Sequence, residues 1–117
     1  MGVGKSTFAR ALLLALGVHQ PPEGSPTFAI AHEYEAPRGG VVHIDFYRIR
    51  SEGEIDDAGI PAYFWERPLI VITEWLSMFE GFAAQVLEPS SEHRNWVVEL
   101  SHSADAAELR NVEIRQA

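Results

Sequence analysis

The chain has 117 residues, a length that fits one domain with a core of its own. Its 46% apolar and 22% charged residues are ordinary globular composition and exclude a disordered tail or a coiled coil. Nine Lys and Arg against seventeen Asp and Glu leave a net charge of −8, which argues against a surface that grips a nucleic-acid backbone directly.

The chain opens Met1-Gly2-Val3-Gly4-Lys5-Ser6-Thr7 and runs straight into the apolar stretch Phe8 to Leu16. Gly-x-Gly-Lys-Ser at a helix start is the right-hand end of the phosphate-binding loop G-x-x-x-x-G-K-[ST]. Glycines let backbone N–H groups curl around phosphate oxygens, and the helix N-terminus adds positive potential. In such a loop Lys5 is a point charge for the terminal phosphates, and the Ser6 hydroxyl can ligate magnesium. A chance pentamer at a helix start is the plain alternative. Counted back from Lys5, the loop's first glycine falls two positions before Met1, and the strand that feeds such a loop is not in the sequence. The expectation is a chain that starts inside the motif.

The first helix is expected from about Lys5 to Leu16, stopped by Gly17. A Pro- and Gly-containing loop follows and leads into Ser25-Pro26-Thr27-Phe28. Phe28 to Tyr34 reads as a strand, Pro37 to Gly40 as a turn, and Val41 to Phe46 as a second strand, which together predict a hairpin. Ser51-x-x-Glu54 has the form of a capping box and starts a short helix that stops near Gly59. Pro61 to Arg67 reads as another short helix. The apolar run Leu69 to Ile72 suits a strand buried on both faces, and it leads into Thr73-Glu74-Trp75. Ser77 to Leu87 reads as helical, weakened by Gly81. Trp96 to Leu100 and Val112 to Ile114 are strand-like and predict a terminal antiparallel hairpin, with Asp105 to Glu108 between them. Cysteine is absent, which removes disulfides, thiol catalysis and Cys-based zinc sites. No apolar run approaches the roughly 20 residues of a membrane helix, and the N-terminus lacks a signal-peptide layout, so a soluble cytoplasmic domain is expected.

Four features then stand in order: the phosphate loop, Ser25-Pro26-Thr27-Phe28, His43-x-Asp45-x-Tyr47-Arg48, and an apolar strand ending in Glu74-Trp75. An acidic residue after an apolar strand usually means that the chain has reached solvent. After a phosphate loop, it is also where such folds place a carboxylate directed at magnesium. Ser-Pro-Thr is most often a turn, because Pro26 fixes φ and biases Ser25 away from helix. A hydroxyl on the loop after the first helix is also where nucleotide switches contact the γ-phosphate and metal. His43 and Asp45 share one face of a strand, but no third ligand is spaced to complete a transition-metal site.

These residues resemble the bacterial TsaE family (older name YjeE), small P-loop ATPases needed to make threonylcarbamoyladenosine in transfer RNA. The resemblance runs from Gly2 to about Trp75 and more loosely over the terminal hairpin. Ser25-Pro26-Thr27-Phe28 and His43-Ile44-Asp45-Phe46-Tyr47-Arg48 are its most specific parts. It implies a single α/β domain over 1–117, P-loop NTPase-like. The sheet would be mixed and mostly parallel, with flanking helices, a terminal antiparallel hairpin and the first strand missing. It implies that Gly2, Val3, Gly4, Lys5, Ser6 and Thr7 hold the nucleotide, with Trp75 nearby. Ser6 and Glu74 would direct Mg²⁺, Asp45 would be a second essential acid, and Thr27 a switch-like hydroxyl. The implied cofactors are ATP and Mg²⁺ and the implied partners TsaB and TsaD, with tRNA contacted only indirectly and ATP hydrolysis appearing mainly in the assembly. Two other readings share the loop: a nucleotide-gated scaffold without useful turnover, and a small P-loop kinase, which would need an acceptor pocket.

Overall fold

The computed structural model describes residues 5–18, 31–88, 95–102 and 110–116. Helix α1 spans Lys5–Ala15. It ends where glycine permits: Gly17 sits at φ 94°. The Val18 N–H donates to the Leu13 carbonyl and the Gly17 N–H to the Leu14 carbonyl, both at 3.0 Å. These two bonds and the packing of Val18 on Leu13 are the Schellman pattern, which satisfies carbonyls that the helix end would leave bare.

Strands β1 (Ala31–Ala36), β2 (Gly39–Asp45) and β3 (Ile70–Glu74) form one sheet in the order β1-β2-β3. β1 and β2 are the expected hairpin, antiparallel, with Ala36 opposite Gly39. β2 and β3 run parallel, with Val41 opposite Ile70 and Asp45 opposite Glu74. The sheet is mixed, as expected, and a parallel majority is not seen among the described residues. Among them one pairing is antiparallel and one parallel, because the two-residue connection Pro37-Arg38 can only join antiparallel neighbours.

β2 is the buried centre. Val41 to Asp45 are all buried, although successive side chains point to opposite faces. On one face Val41 packs with Leu13 and Val18 of the α1 unit and with Tyr34, Ala36 and Ile72. On the other, Val42 and Ile44 join Phe46, Ile55, Ile60, Phe79, Phe82 and Val86 in the larger core. That second layer is built from α2 (Glu52–Asp57), α3 (Ile60–Trp65) and α4 (Glu80–Val86). Phe46 anchors it, fully buried, with ring centroids 6.3 Å from Phe79 and 5.9 Å from Phe82. β3 differs from the expected doubly buried strand: Ile70 is exposed and Val71 to Thr73 are only partly buried. Its one partner among the described strands is β2, so it forms an edge of the sheet there.

Two local expectations change. The helix expected over Ser77–Leu87 is two pieces, a 3₁₀ turn Leu76–Met78 and then α4, parted at Phe79 with φ −119° and ψ 81°. The break lets Phe79 join Phe82 and Val86 on the core side. Gly81, read from sequence as a weak point, lies inside α4; a Cβ there would sit 3.0 Å from Glu52 Oε1, so it marks a close approach of α2. The capping box expected at Ser51 does not form. Ser51 has extended dihedrals but no side-chain cap bond, and Glu54 Oε2 instead accepts from the Arg50 N–H at 2.7 Å. Gly59, at φ 72°, ends α2 and starts α3, with Pro61 in the first turn.

β4 (Trp96–His102) and β5 (Arg110–Gln116) form the expected antiparallel hairpin; β4 runs past its expected end at Leu100, and β5 extends beyond Val112 and Ile114 on both sides. The segment expected between them at Asp105 to Glu108, like the start of the strand expected at Phe28, lies outside the described residues. No helix among the described residues is long and apolar enough to cross a membrane.

Candidate functional site

The carboxyl ends of β2 and β3 carry the chemistry. In the parallel register Asp45 lies opposite Glu74 and His43 opposite Ile72, so His43, Asp45 and Glu74 share the face of the sheet that α1 covers. All three are buried: 2%, 7% and 7% exposed respectively. Paired residues on adjacent strands sit about 4.8 Å apart, so two acidic side chains are held at neighbouring positions on one rim.

Each carboxylate has a fixed partner. Asp45 Oδ1 accepts the Tyr47 N–H at 2.9 Å and so caps the 3₁₀ turn Phe46–Arg48. Glu74 Oε2 lies 2.7 Å from His43 Nε2. An ionised carboxylate only accepts, so Nε2 carries the proton of this bond.

The residue after Glu74 is strained. Trp75 adopts φ 64° and ψ 20°, the left-handed region, and is the non-glycine residue with positive φ among those described. For a bulky side chain this costs about 1–3 kcal/mol, a cost found mostly at functional sites and sustained by surrounding contacts. Those contacts are visible: Trp75 packs against the larger core, and its ring lies 5.1 Å from that of Tyr47. Tyr47 is itself half exposed, so the two rings form a partly open aromatic step beside the acidic rim.

Of the site residues expected from sequence, the structure brings together Asp45, Glu74 and Trp75. Lys5, Ser6 and Thr7 form the first turn of α1, with Thr7 exposed. Gly2, Val3, Gly4 and Thr27 lie outside the described residues. Sequence reasoning missed His43 as a partner of Glu74. It weighed the His-x-Asp pair only as metal ligands, and the signal that was lacking is the β2–β3 register. Tyr47 beside Trp75 was missed for the same reason. Among the described residues no three His, Asp or Glu converge as a metal cage. The donor set on the rim is hard carboxylate oxygen, which suits Mg²⁺ completed by phosphate and water better than an all-protein transition-metal site.

Comparison with known proteins gives the family. The model of the threonylcarbamoyl adenosine biosynthesis protein TsaE matches residues 1–111. The chain belongs to the TsaE family. A TsaE protein of Aquifex aeolicus is 41% identical over 80 residues, covering 63% of this chain and 60% of the relative. One from Haemophilus influenzae is 33% identical over 81 residues, covering 69% and 50%. One from a Nostoc species is 34% identical over 79 residues, covering 64% and 47%. Each relative is named as a tRNA threonylcarbamoyladenosine biosynthesis protein. The chain thus spans between 47% and 60% of the length of these curated TsaE relatives.

Proposed function

We propose that this TsaE chain is the ATP-binding and ATP-hydrolysing component of tRNA threonylcarbamoyladenosine synthesis, a P-loop ATPase acting with TsaB and TsaD in the cytoplasm. The observation that carries the reading is the acidic rim: Asp45 and Glu74 paired at the carboxyl ends of two parallel strands, in a chain whose α1 begins with Lys-Ser-Thr. Ligands of open α/β sheets bind outside these strand ends. α1 is seated by Leu13 over Val41, at the opposite end of β2. From Leu13 back to Lys5 is about 12 Å of helix, and from Val41 on to Asp45 about 13 Å of strand, so the reading has the first turn of α1 reaching the rim.

In this reading Gly2, Val3 and Gly4 present backbone N–H groups to the phosphates, and Thr7 continues the first turn. Lys5 neutralises the terminal phosphates, and the positive end of α1 adds to that field. Ser6 and Glu74 would hold Mg²⁺, which when bound screens the developing charge on the phosphate oxygens. Asp45 orients the attacking water from a carboxylate fixed by the Tyr47 N–H. Thr27 contributes a switch hydroxyl, and Trp75 with Tyr47 borders the nucleotide. Positioning and charge stabilisation carry most of the catalysis in this reaction class.

The test is calorimetric and kinetic. Lys5→Ala should abolish ATP–Mg²⁺ binding while leaving the circular dichroism of the fold unchanged. Glu74→Gln should spare binding more than hydrolysis measured with TsaB and TsaD present. Unchanged ATP affinity in Lys5→Ala would sink the nucleotide assignment, and wild-type turnover in Glu74→Gln would sink the role of the rim.

A further inference from the structure

We infer that His43 is a positioning residue for Glu74: its Nε2–H holds one carboxylate oxygen and so sets the direction in which the carboxylate meets the metal and phosphates. This rests on the ATPase reading for its consequence, but the contact itself does not depend on that reading. The bond is a 2.7 Å diagonal across the parallel pair, since His43 lies opposite Ile72 and reaches two residues on to Glu74. Both groups are buried, and the backbone that carries His43 is clamped by Val42 and Ile44, each fully buried on the other face. The imidazole therefore has little freedom and holds Glu74 against a rigid strand.

Stability alone gives no reason for this pair. Val41, two residues earlier on the same face, makes an apolar contact with Leu13 and Ile72, and a second apolar residue at 43 would extend it. Burying a His and a Glu together costs desolvation, and well-packed apolar replacements of such pairs are often neutral or stabilising. The two rim carboxylates are also treated alike: Asp45 gives one oxygen to the Tyr47 N–H, and Glu74 gives one to His43. Each acid is held by a donor on β2 or just beyond it. Donors behind metal-binding carboxylates commonly act in this way.

Two substitutions separate positioning from bulk. His43→Gln keeps an N–H donor at similar reach; His43→Asn stays polar, but its amide falls short of Glu74. Crystal structures of the nucleotide-free full chain are expected to keep the Glu74 rotamer in His43→Gln and to lose it in His43→Asn. With TsaB and TsaD present, the Mg²⁺ concentration for half-maximal ATP turnover should rise about 10–100-fold in His43→Asn and stay within about twofold in His43→Gln. In a Glu74→Gln background, His43→Asn should change ATP–Mg²⁺ affinity no further. An unmoved Glu74 in nucleotide-free His43→Asn overturns the inference, as does a full extra loss in the Glu74→Gln background. Where His43→Asn does not fold, His43→Leu with Glu74→Gln gives the same comparison, and affinity below that of Glu74→Gln alone is the overturning result. If Glu74 moves as expected but the wild-type chain neither binds nor hydrolyses ATP, the ATPase reading has failed and the positioning contact stands.

Discussion

Asp45 has two duties that can be separated by substitution. Its Oδ1 caps the 3₁₀ turn through the Tyr47 N–H, and its charge sits opposite Glu74 on the rim. Asp45→Asn keeps an acceptor for Tyr47 and removes only the charge, whereas Asp45→Ala removes both. Loss of a capping acceptor costs about 0.5–2 kcal/mol, so Asp45→Ala should lower Tm by several degrees while Asp45→Asn stays close to wild type. In the ATPase reading both should lose turnover to a similar extent. Scanning calorimetry beside a phosphate-release assay checks this, and an Asp45→Asn protein that melts as early as Asp45→Ala would show that the charge holds the turn. Glu74 was legible as a candidate because it follows an apolar run, and Asp45 only through the resemblance to the TsaE family. Their partners were not. Nothing in His43-x-Asp45 says which strand lies beside it, and only the register Asp45↔Glu74 brings His43 to Glu74. The left-handed Trp75 was equally hidden, since no turn residue advertises a positive φ there.

At the scale of elements, the sequence showed most helices and strands because their signals are local. Gly17 and Gly59 close helices, and Pro61 starts one. The break at Phe79 was not legible, because what decides it is the position of Phe46 across the core. How elements are tied together was also invisible, and one tie gives a prediction in pH. Arg67, just past α3, pairs with Glu33 of β1 at 2.6 Å, and the Tyr63 hydroxyl donates to the same carboxylate at 3.4 Å. The hydrogen bond from Arg67 holds the Glu33 carboxyl below its ordinary value of 4.5. A carboxylate lowered in the folded state stabilises above its unfolded value, and that contribution is lost as pH falls through the folded one. Both groups are exposed, so the effect is small and screened by salt. Arg67→Gln should therefore melt slightly earlier than wild type at neutral pH and low salt. The gap should close as pH drops below 4.5, and it should shrink in high salt. A gap that persists in acid would mean that Arg67 acts by packing on the Tyr63 ring, 5.5 Å away, and not by charge.

Across the whole molecule, stability should be distributed very unevenly. β2 is paired on both sides and covered on both faces, by α1 and by the α2–α4 layer. The β4–β5 ribbon pairs with itself alone among the described strands. Val98 lies opposite Ile114 on one of its faces, with Trp96 and Val112 in line, yet Trp96, Val112 and Ile114 are each more than half exposed. A hydrogen bond from Asn95 Nδ2 to the Val86 carbonyl at 2.9 Å ties the start of the ribbon to α4. An isolated two-stranded ribbon is marginal in water, because it cannot bury enough apolar area to offset the ordering of its backbone. Cross-strand pairs such as Arg115 with Glu99 add little at such exposure. Local opening should therefore cost far less in β4–β5 than in β2, whose opening requires both layers to separate. Amide hydrogen exchange read by mass spectrometry should show Val42, His43 and Ile44 exchanging near the rate of global unfolding, with β3 faster and β4–β5 fastest of the strands. The rim should share the protection of β2, so Asp45 and Glu74 keep their geometry while the ribbon opens and closes. Equal protection in β4–β5 and β2 would contradict this ordering, and would mean that the apolar face of the ribbon is covered in solution.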